Sequence, residues 1–217
     1  MRITVVGGGN IGTQFAVHCA ETGHTVTVYT SSPELYNGHL AIVDDAGNIT
    51  HSGNISLATS DPEQAFQNAE LILVTIPATM MSIAAGQIYS NADDKAFIGV
   101  VPGNGGRECT FKKCIERGNT FFAIERVPAI ARLIEKGRVV RSTGYRKELH
   151  VAAIPGSKAT QCAEISRSIF KMPCSTIPNM LNLTMTPSNP ILHTSRLYSL
   201  FHDWNQGVYY ESVTLPR

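Results

Sequence analysis

No lysine or arginine stands between Arg2 and Lys95. Nine acidic residues fall in that stretch, so residues 1–94 carry a net −8 and residues 95–217 a net +9. The whole chain comes to +1, which excludes the global field that draws nucleic acid or an anionic membrane surface. No apolar run approaches the roughly 20 residues that cross a bilayer. The opening run Ile3–Val6 is too short for the apolar core of a signal peptide. The five cysteines, Cys19, Cys109, Cys114, Cys162 and Cys174, form no C-x-x-C pair, and Cys109 and Cys114 lack histidine neighbours at zinc-ligand spacing. An odd number of unpaired thiols and no leader fit a reducing cytoplasm.

What is present is a core-forming composition, 43% hydrophobic and 16% charged, which argues against disorder. The split in charge has two readings. The halves attract each other or a second subunit, or the basic later half meets anionic groups of a substrate.

Ile3-Thr4-Val5-Val6 is a β-branched run that stops at glycines, the pattern of a buried strand. Ile11 to Thr22 has helical spacing, with Ile11, Phe15, Val17 and Cys19 facing inward and Gly23 closing it. Thr25–Tyr29 is a second strand, so thirty residues hold a βαβ unit. The alternation continues with a strand over Asn54–Ala58 and a helix from Asp61-Pro62 to Asn68. Leu71–Ile76 is an apolar strand, residues 79–89 a helix, and Ala96–Val101 a strand. Glu108–Arg117 reads as one helix and Thr120–Glu125 as a strand. Arg138–Thr143 and Glu148–Ile154 read as strands that pair antiparallel, followed by a helix over Gln161–Phe170. Strands alternating with helices predict an α/β fold with a doubly wound, mostly parallel sheet over residues 1–180. Residues 181–217, Asn- and Pro-rich and then helical from Pro190 to about Trp204, read as the start of a helical domain that is cut short here. Leu197, Leu200, Phe201 and Trp204 on that helix need a surface to pack on, and a second copy of the chain is one such surface.

Gly7-Gly8-Gly9-Asn10-Ile11-Gly12 matches G-x-G-x-x-G, and it does so between a strand and a helix. Gly7 permits the tight turn, Gly9 lets the backbone approach a pyrophosphate, and Gly12 lets the helix pack close to the strand. Asn10 and Ile11 bring the first N–H groups of the helix and its partial positive charge to the phosphates. At the end of the second strand NAD enzymes place an acid for the ribose 2′-OH. This chain has Thr30-Ser31-Ser32, three hydroxyls with no acid to repel a 2′-phosphate and no base nearby to neutralise it. The reading leans to NADP, with NAD possible. Ile76-Pro77 would border the adenosine or ribose, and Pro102-Gly103-Asn104 the nicotinamide ribose. Plain turn chemistry accounts for any one of these residues equally well.

Gly7–Gly12, Ile76-Pro77-Ala78, Pro102-Gly103-Asn104-Gly105-Gly106 and Asn189-Pro190-Ile191-Leu192-His193 together resemble the octopine/nopaline (opine) dehydrogenase family. Glu125-Arg126-Val127-Pro128 and Gly144-Tyr145-Arg146-Lys147 fall where that family has its post-sheet segments, so the resemblance spans the chain. The N-P-x-x-H element discriminates it from other dehydrogenases. The resemblance implies reduction, with NAD(P)H, of an imine formed between an amino acid and an α-keto acid. It makes His193 the catalytic residue, with Asn189 and Glu125 on the substrate side. The family pairs this histidine with a distant Asp that lies beyond the positions of this chain. With Asn189 as N-cap and Pro190 as N1, His193 falls near the first turn of its helix, where the dipole disfavours imidazolium and a carboxylate partner is wanted. Two other readings share the glycine motif: a ketopantoate-reductase-like 2-keto-acid reductase, and a nucleotide-binding module without catalysis. The first usually relies on a lysine of the second domain, and the last lysine here is Lys171.

Overall fold

The computed structural model describes residues 1–185 and 188–202. The chain divides into two compact units, Met1–Met185 and Thr186–Arg217. The first unit is built on an eight-stranded sheet. Its strands are β1 (Arg2–Val6), β2 (Thr25–Tyr29), β5 (Leu57–Thr59), β6 (Leu71–Val74), β7 (Phe97–Val100), β8 (Phe121–Ile124), β11 (Leu149–Ile154) and β12 (Cys174–Thr176). They lie in the order β12-β11-β8-β7-β6-β1-β2-β5, parallel throughout except between β8 and β11. From β5 to β8 this is the doubly wound order of a dinucleotide-binding fold, with its switch point between β1 and β6.

Both faces of this sheet are covered, which is why its strands read as continuous apolar runs. Ile3 and Val5, Leu71 and Leu73, and Phe122 and Ile124 point into one core. Val6, Ile72 and Val74, and Phe121 and Ala123 point into the other. The second core is closed by α2 (Pro62–Phe66), α3 (Ala78–Asn91) and α5 (Lys112–Arg117). The first is closed by α1 (Asn10–Glu21) and α6 (Ala159–Phe170). Each fully buried Leu, Ile or Phe contributes about 1.5–3 kcal/mol of burial, so the two cores dominate the stability of the unit.

A second sheet covers the outer side of α1. It consists of β3 (His39–Val43), β4 (Ile49–Asn54), β9 (Ile130–Glu135) and β10 (Val139–Thr143), in the order β4-β3-β10-β9. Enclosed between two sheets, α1 is buried on every side from Gly12 to Cys19 rather than on one inward stripe. Its buried Gln14 is met on its amide nitrogen, Nε2 donating to Ser142 Oγ at 2.7 Å, while Oε1 has no partner among the described residues. Arg141 of β10 meets Asp45 at 3.7 Å, one place where the basic later half joins the acidic first half.

Several elements differ from the sequence expectation. The strand expected over Asn54–Ala58 is where the chain leaves β4 and crosses to β5, with Ile55 buried at the crossing. The strands at 138–143 and 148–154 exist but do not pair. β10 pairs with β3 and β9, and β11 with β8 and β12. The helix expected over Glu108–Arg117 is two, α4 (Arg107–Thr110) and α5, broken at Phe111, which is fully buried against Phe121. Gly23, at φ +83°, closes α1 as expected, its N–H donating to Ala20 O at 3.0 Å. Asp61 caps α2, accepting from the Glu63 N–H at 2.9 Å. The turn α7 (Met180–Thr184) buries Met180 and Leu183 against the first unit, so the chain divides five residues later than the expected boundary at 180. Described residues of the second unit form α8 (Ser188–Phe201), and Trp204 lies outside them.

Candidate functional site

The glycine loop runs from the end of β1 to the start of α1. The Gly7 N–H donates to Tyr29 O at 2.9 Å, and its φ of +109° is one that side chains rarely adopt. A Cβ at Gly12 would stand 1.7 Å from the Gly7 carbonyl oxygen, so only glycine lets α1 begin this close to the loop. A Cβ at Gly9 would meet nothing within 4 Å. Gly9 is the N-cap of α1 and no side chain caps the helix, which leaves first-turn N–H groups for an anion at this opening. Gly8 also has a role that the motif does not advertise. A Cβ there would stand 2.2 Å from the Tyr36 hydroxyl and 2.9 Å from Thr30 Oγ1.

Asn10 turns its side chain away from this task, since Oδ1 accepts the Leu133 N–H at 2.7 Å and ties β9 to the helix start. Ile11 is half-buried and packs on the first core. The backbone N–H groups of these two residues, rather than their side chains, remain the groups suited to a phosphate.

A cleft of about 650 Å³ opens beside the loop. Gly7, Gly8 and Gly9 line it together with Thr30 and Ser31, the strand end Thr75-Ile76-Pro77, and Met80 and Ile83 of α3. Leu133 and Lys136 close it from the second sheet. Thr30 is nearly buried beneath Gly8, while Ser31 is exposed and Ser32 half-buried. Lys136 Nζ donates to Ser32 Oγ at 3.0 Å. The sequence reading found no base near this position. The structure corrects it, because Lys136 lies 104 residues away along the chain and arrives on the β9–β10 hairpin.

Pro102, Gly103 and Asn104 leave the carboxyl end of β7 but are not among the residues lining this cleft. Gly103 folds inward, its N–H donating to Ile124 O at 2.9 Å, and a Cβ on it would lie 2.3 Å from Ala123 Cβ.

Glu125 follows β8 at the same edge of the sheet. Its Oε2 lies 3.0 Å from His150 Nδ1 and its Oε1 3.4 Å from Arg126 Nε. Glu125, Arg126, Arg146, Glu148 and His150 line a smaller cleft of about 210 Å³. His150 had no motif to single it out, and only the β8–β11 pairing brings it to Glu125. His193 stands exposed on α8 in the second unit. Because α8 begins at Ser188, Asn189 and Pro190 are already helical residues, and Asn189 is not the expected N-cap. His193 therefore falls in the second turn, where the terminal dipole has largely faded.

Comparisons with known proteins place this geometry. A family model described as NAD-dependent glycerol-3-phosphate dehydrogenase N-terminus matches residues 2–115. An uncharacterized protein of Sinorhizobium fredii is 29% identical over 214 residues, covering 92% of this chain and 56% of that protein. An opine dehydrogenase of Arthrobacter sp. is 24% identical over 195 residues, covering 87% of this chain and 54% of that protein. An octopine dehydrogenase solved with NADH and L-arginine superposes with a TM-score of 0.84 at 21% identity, over 97% of this chain and 57% of that one. The chain thus spans about half the length of the curated relatives it matches.

Proposed function

Because the chain belongs to the family of the NAD-dependent glycerol-3-phosphate dehydrogenase N-terminus, we propose that its first unit binds a nicotinamide dinucleotide as part of an opine-type dehydrogenase. The observation that carries the binding is Gly9, an uncapped helix start open to a cleft of dinucleotide-binding position. In this reading the pyrophosphate rests on the N–H groups of Gly9 to Gly12. Thr75-Ile76-Pro77 and Met80 flank the ribose and base. Pro102-Gly103-Asn104 border the nicotinamide end from β7. When bound, the reduced nicotinamide supplies a hydride.

NADP(H) is the preferred form. No acid stands at Thr30, Ser31 or Ser32 to bond a ribose 2′-OH or repel a 2′-phosphate. Lys136 supplies the positive charge that a 2′-phosphate needs. The matching family model is described as NAD-dependent and an octopine dehydrogenase of similar fold was solved with NADH, so NADH is the form to compare against.

The substrate reading is an α-keto acid and an amino acid joined as an imine. Arg126 and Arg146 in the smaller cleft suit a carboxylate, and Glu125 beside them suits an ammonium group. His193 is the proposed acid that hands a proton to the imine nitrogen, with Asn189 beside it in sequence. The exposed Leu192, Leu197 and Tyr198 of α8 suit packing against a second copy of the chain. Among the described residues no helix is long and apolar enough to cross a membrane. The five free cysteines accord with a cytoplasmic setting.

Oxidation of NADPH and NADH, followed with paired keto-acid and amino-acid panels for the wild type and His193→Ala, tests this reading. The expected result is turnover only when both substrates are present, and a loss of about 100-fold or more in the variant. Equal rates in the two proteins, or turnover of a keto acid without any amine, overturn it.

A further inference from the structure

At the end of α1 remote from the glycine loop, three side chains with metal-ligating atoms converge. His18 and Glu21 are three residues apart on α1 and so share a face. His51 reaches them from β4 of the second sheet. One ligand atom from each lies within 4.8 Å of the other two. Glu21 Oε2 is 2.8 Å from His51 Nδ1, and the rings of His18 and His51 are 4.9 Å apart.

The independent observation is His18 itself. It is only 4% exposed, and its Nε2 is buried without a hydrogen-bond partner. A buried ring nitrogen left unpaired costs free energy unless something meets it. No partner among the described residues does.

We propose that His18, Glu21 and His51 form a binding site for a divalent first-row transition metal, with zinc the best match. Two imidazoles and one carboxylate are a common three-ligand set for zinc, leaving a fourth position to water. Tetrahedral ligation at about 2.1 Å sets donors roughly 3.4 Å apart. The observed spread closes to that value by rotation of Glu21 and His51, whose side chains are about one-third exposed. The hard cations Mg²⁺ and Ca²⁺ prefer all-oxygen shells and do not suit this set. An ion here pins the C-terminal end of α1 to β4, and α1 is the helix whose other end meets the nucleotide loop.

The test uses Zn²⁺ alone, titrated by calorimetry into chelator-treated protein carrying Cys109→Ser, which removes the one exposed thiol among the five cysteines. His18 is packed against Phe170, so truncating it opens a cavity, and the decisive variants are His51→Ala and Glu21→Gln. The expected result is saturable binding of one zinc per chain, weakened about tenfold or more in each variant. His24→Ala, which disrupts the contact between the N-terminal amine and His24, leaves the binding unchanged. Zinc also raises the melting temperature of the parent but not of His51→Ala. Absence of a saturable site in the parent, or parent-like binding by His51→Ala, overturns the proposal.

Discussion

Lys136 Nζ and Ser32 Oγ are 3.0 Å apart, a contact between the hairpin of one sheet and the strand end of the other. It brings the ammonium of the second-sheet hairpin to the hydroxyls after β2, where the proposed binding mode puts the ribose 2′ position. A charge-assisted hydrogen bond to phosphate is worth about 1.5–3 kcal/mol. Lys136→Ala is therefore expected to weaken NADPH binding about ten- to a hundredfold and leave NADH binding nearly unchanged. Fluorescence titration with both nucleotides checks this, and an equal loss for both would show that Lys136 is not reading the 2′-phosphate.

Gly9 and Gly12 are both glycine, for opposite reasons, and alanine separates them. At Gly12 the added Cβ collides with backbone of Gly7. That backbone must shift, so Gly12→Ala should lose about 2–4 kcal/mol of stability and roughly 5–10 °C in melting temperature. At Gly9 the Cβ enters open space. Gly9→Ala should melt like the wild type yet bind either nucleotide more weakly, because the methyl group takes room the pyrophosphate needs. Thermal melts run beside nucleotide titrations read the two effects apart. A stable Gly12→Ala, or a Gly9→Ala that binds normally, contradicts the geometry.

The first unit was legible wherever the signal was local. β1, β2, β6, β7 and β8 are short apolar runs bounded by turns, and the glycine loop sits between a strand and a helix that each announce themselves. Of the second sheet only β10 was legible as a strand, and the joining of its two hairpins through β3 and β10 was hidden because that pairing is long-range. β4 reads Ile-Thr-His-Ser-Gly-Asn, too polar to mark a strand, and is held by β3 and by the close approach of Gly53 to Ala20 on α1. β9 was missed as well, and with it the route by which Lys136 reaches Ser32. The same reason hid the pairing of Glu125 with His150, which exists only because β11 runs antiparallel to β8. Charge counted along the sequence found no base near Thr30. Charge counted in space finds one.

Arg146 offers a check on the substrate side. It is exposed and lines the smaller cleft, and its Nε donates to Val127 O at 3.1 Å, which fixes the stem. Arg146→Ala should weaken binding of pyruvate to the NADPH-loaded protein about tenfold while the affinity for NADPH stays the same. Ligand-observed NMR with pyruvate gives the first number and fluorescence the second. A loss confined to NADPH would move Arg146 out of the substrate reading.

His18 sets a pH dependence whose sign follows from its burial. Its pKa falls from the ordinary 6.5 to about 4 on folding, chiefly because burial penalises the charged ring. Above pH 6.5 the ring is neutral in both states and contributes nothing. Between pH 6.5 and 4 the unfolded chain binds a proton that the folded chain refuses, so stability falls as the pH falls. The full loss is about 3 kcal/mol and levels off below pH 4. His24, lowered by burial and by the N-terminal amine, adds to the loss in the same direction. Glu70, Asp44 and Asp93 are carboxylates held below their ordinary values, and their contributions are lost only at more acid pH. Urea denaturation of the metal-free protein at several pH values between 7 and 4 should therefore show a decline that His18→Gln largely removes. The glutamine keeps a polar group in the cavity but cannot take the proton. If the variant declines as steeply as the wild type, the acid sensitivity belongs to other groups and His18 is not buried as a neutral ring.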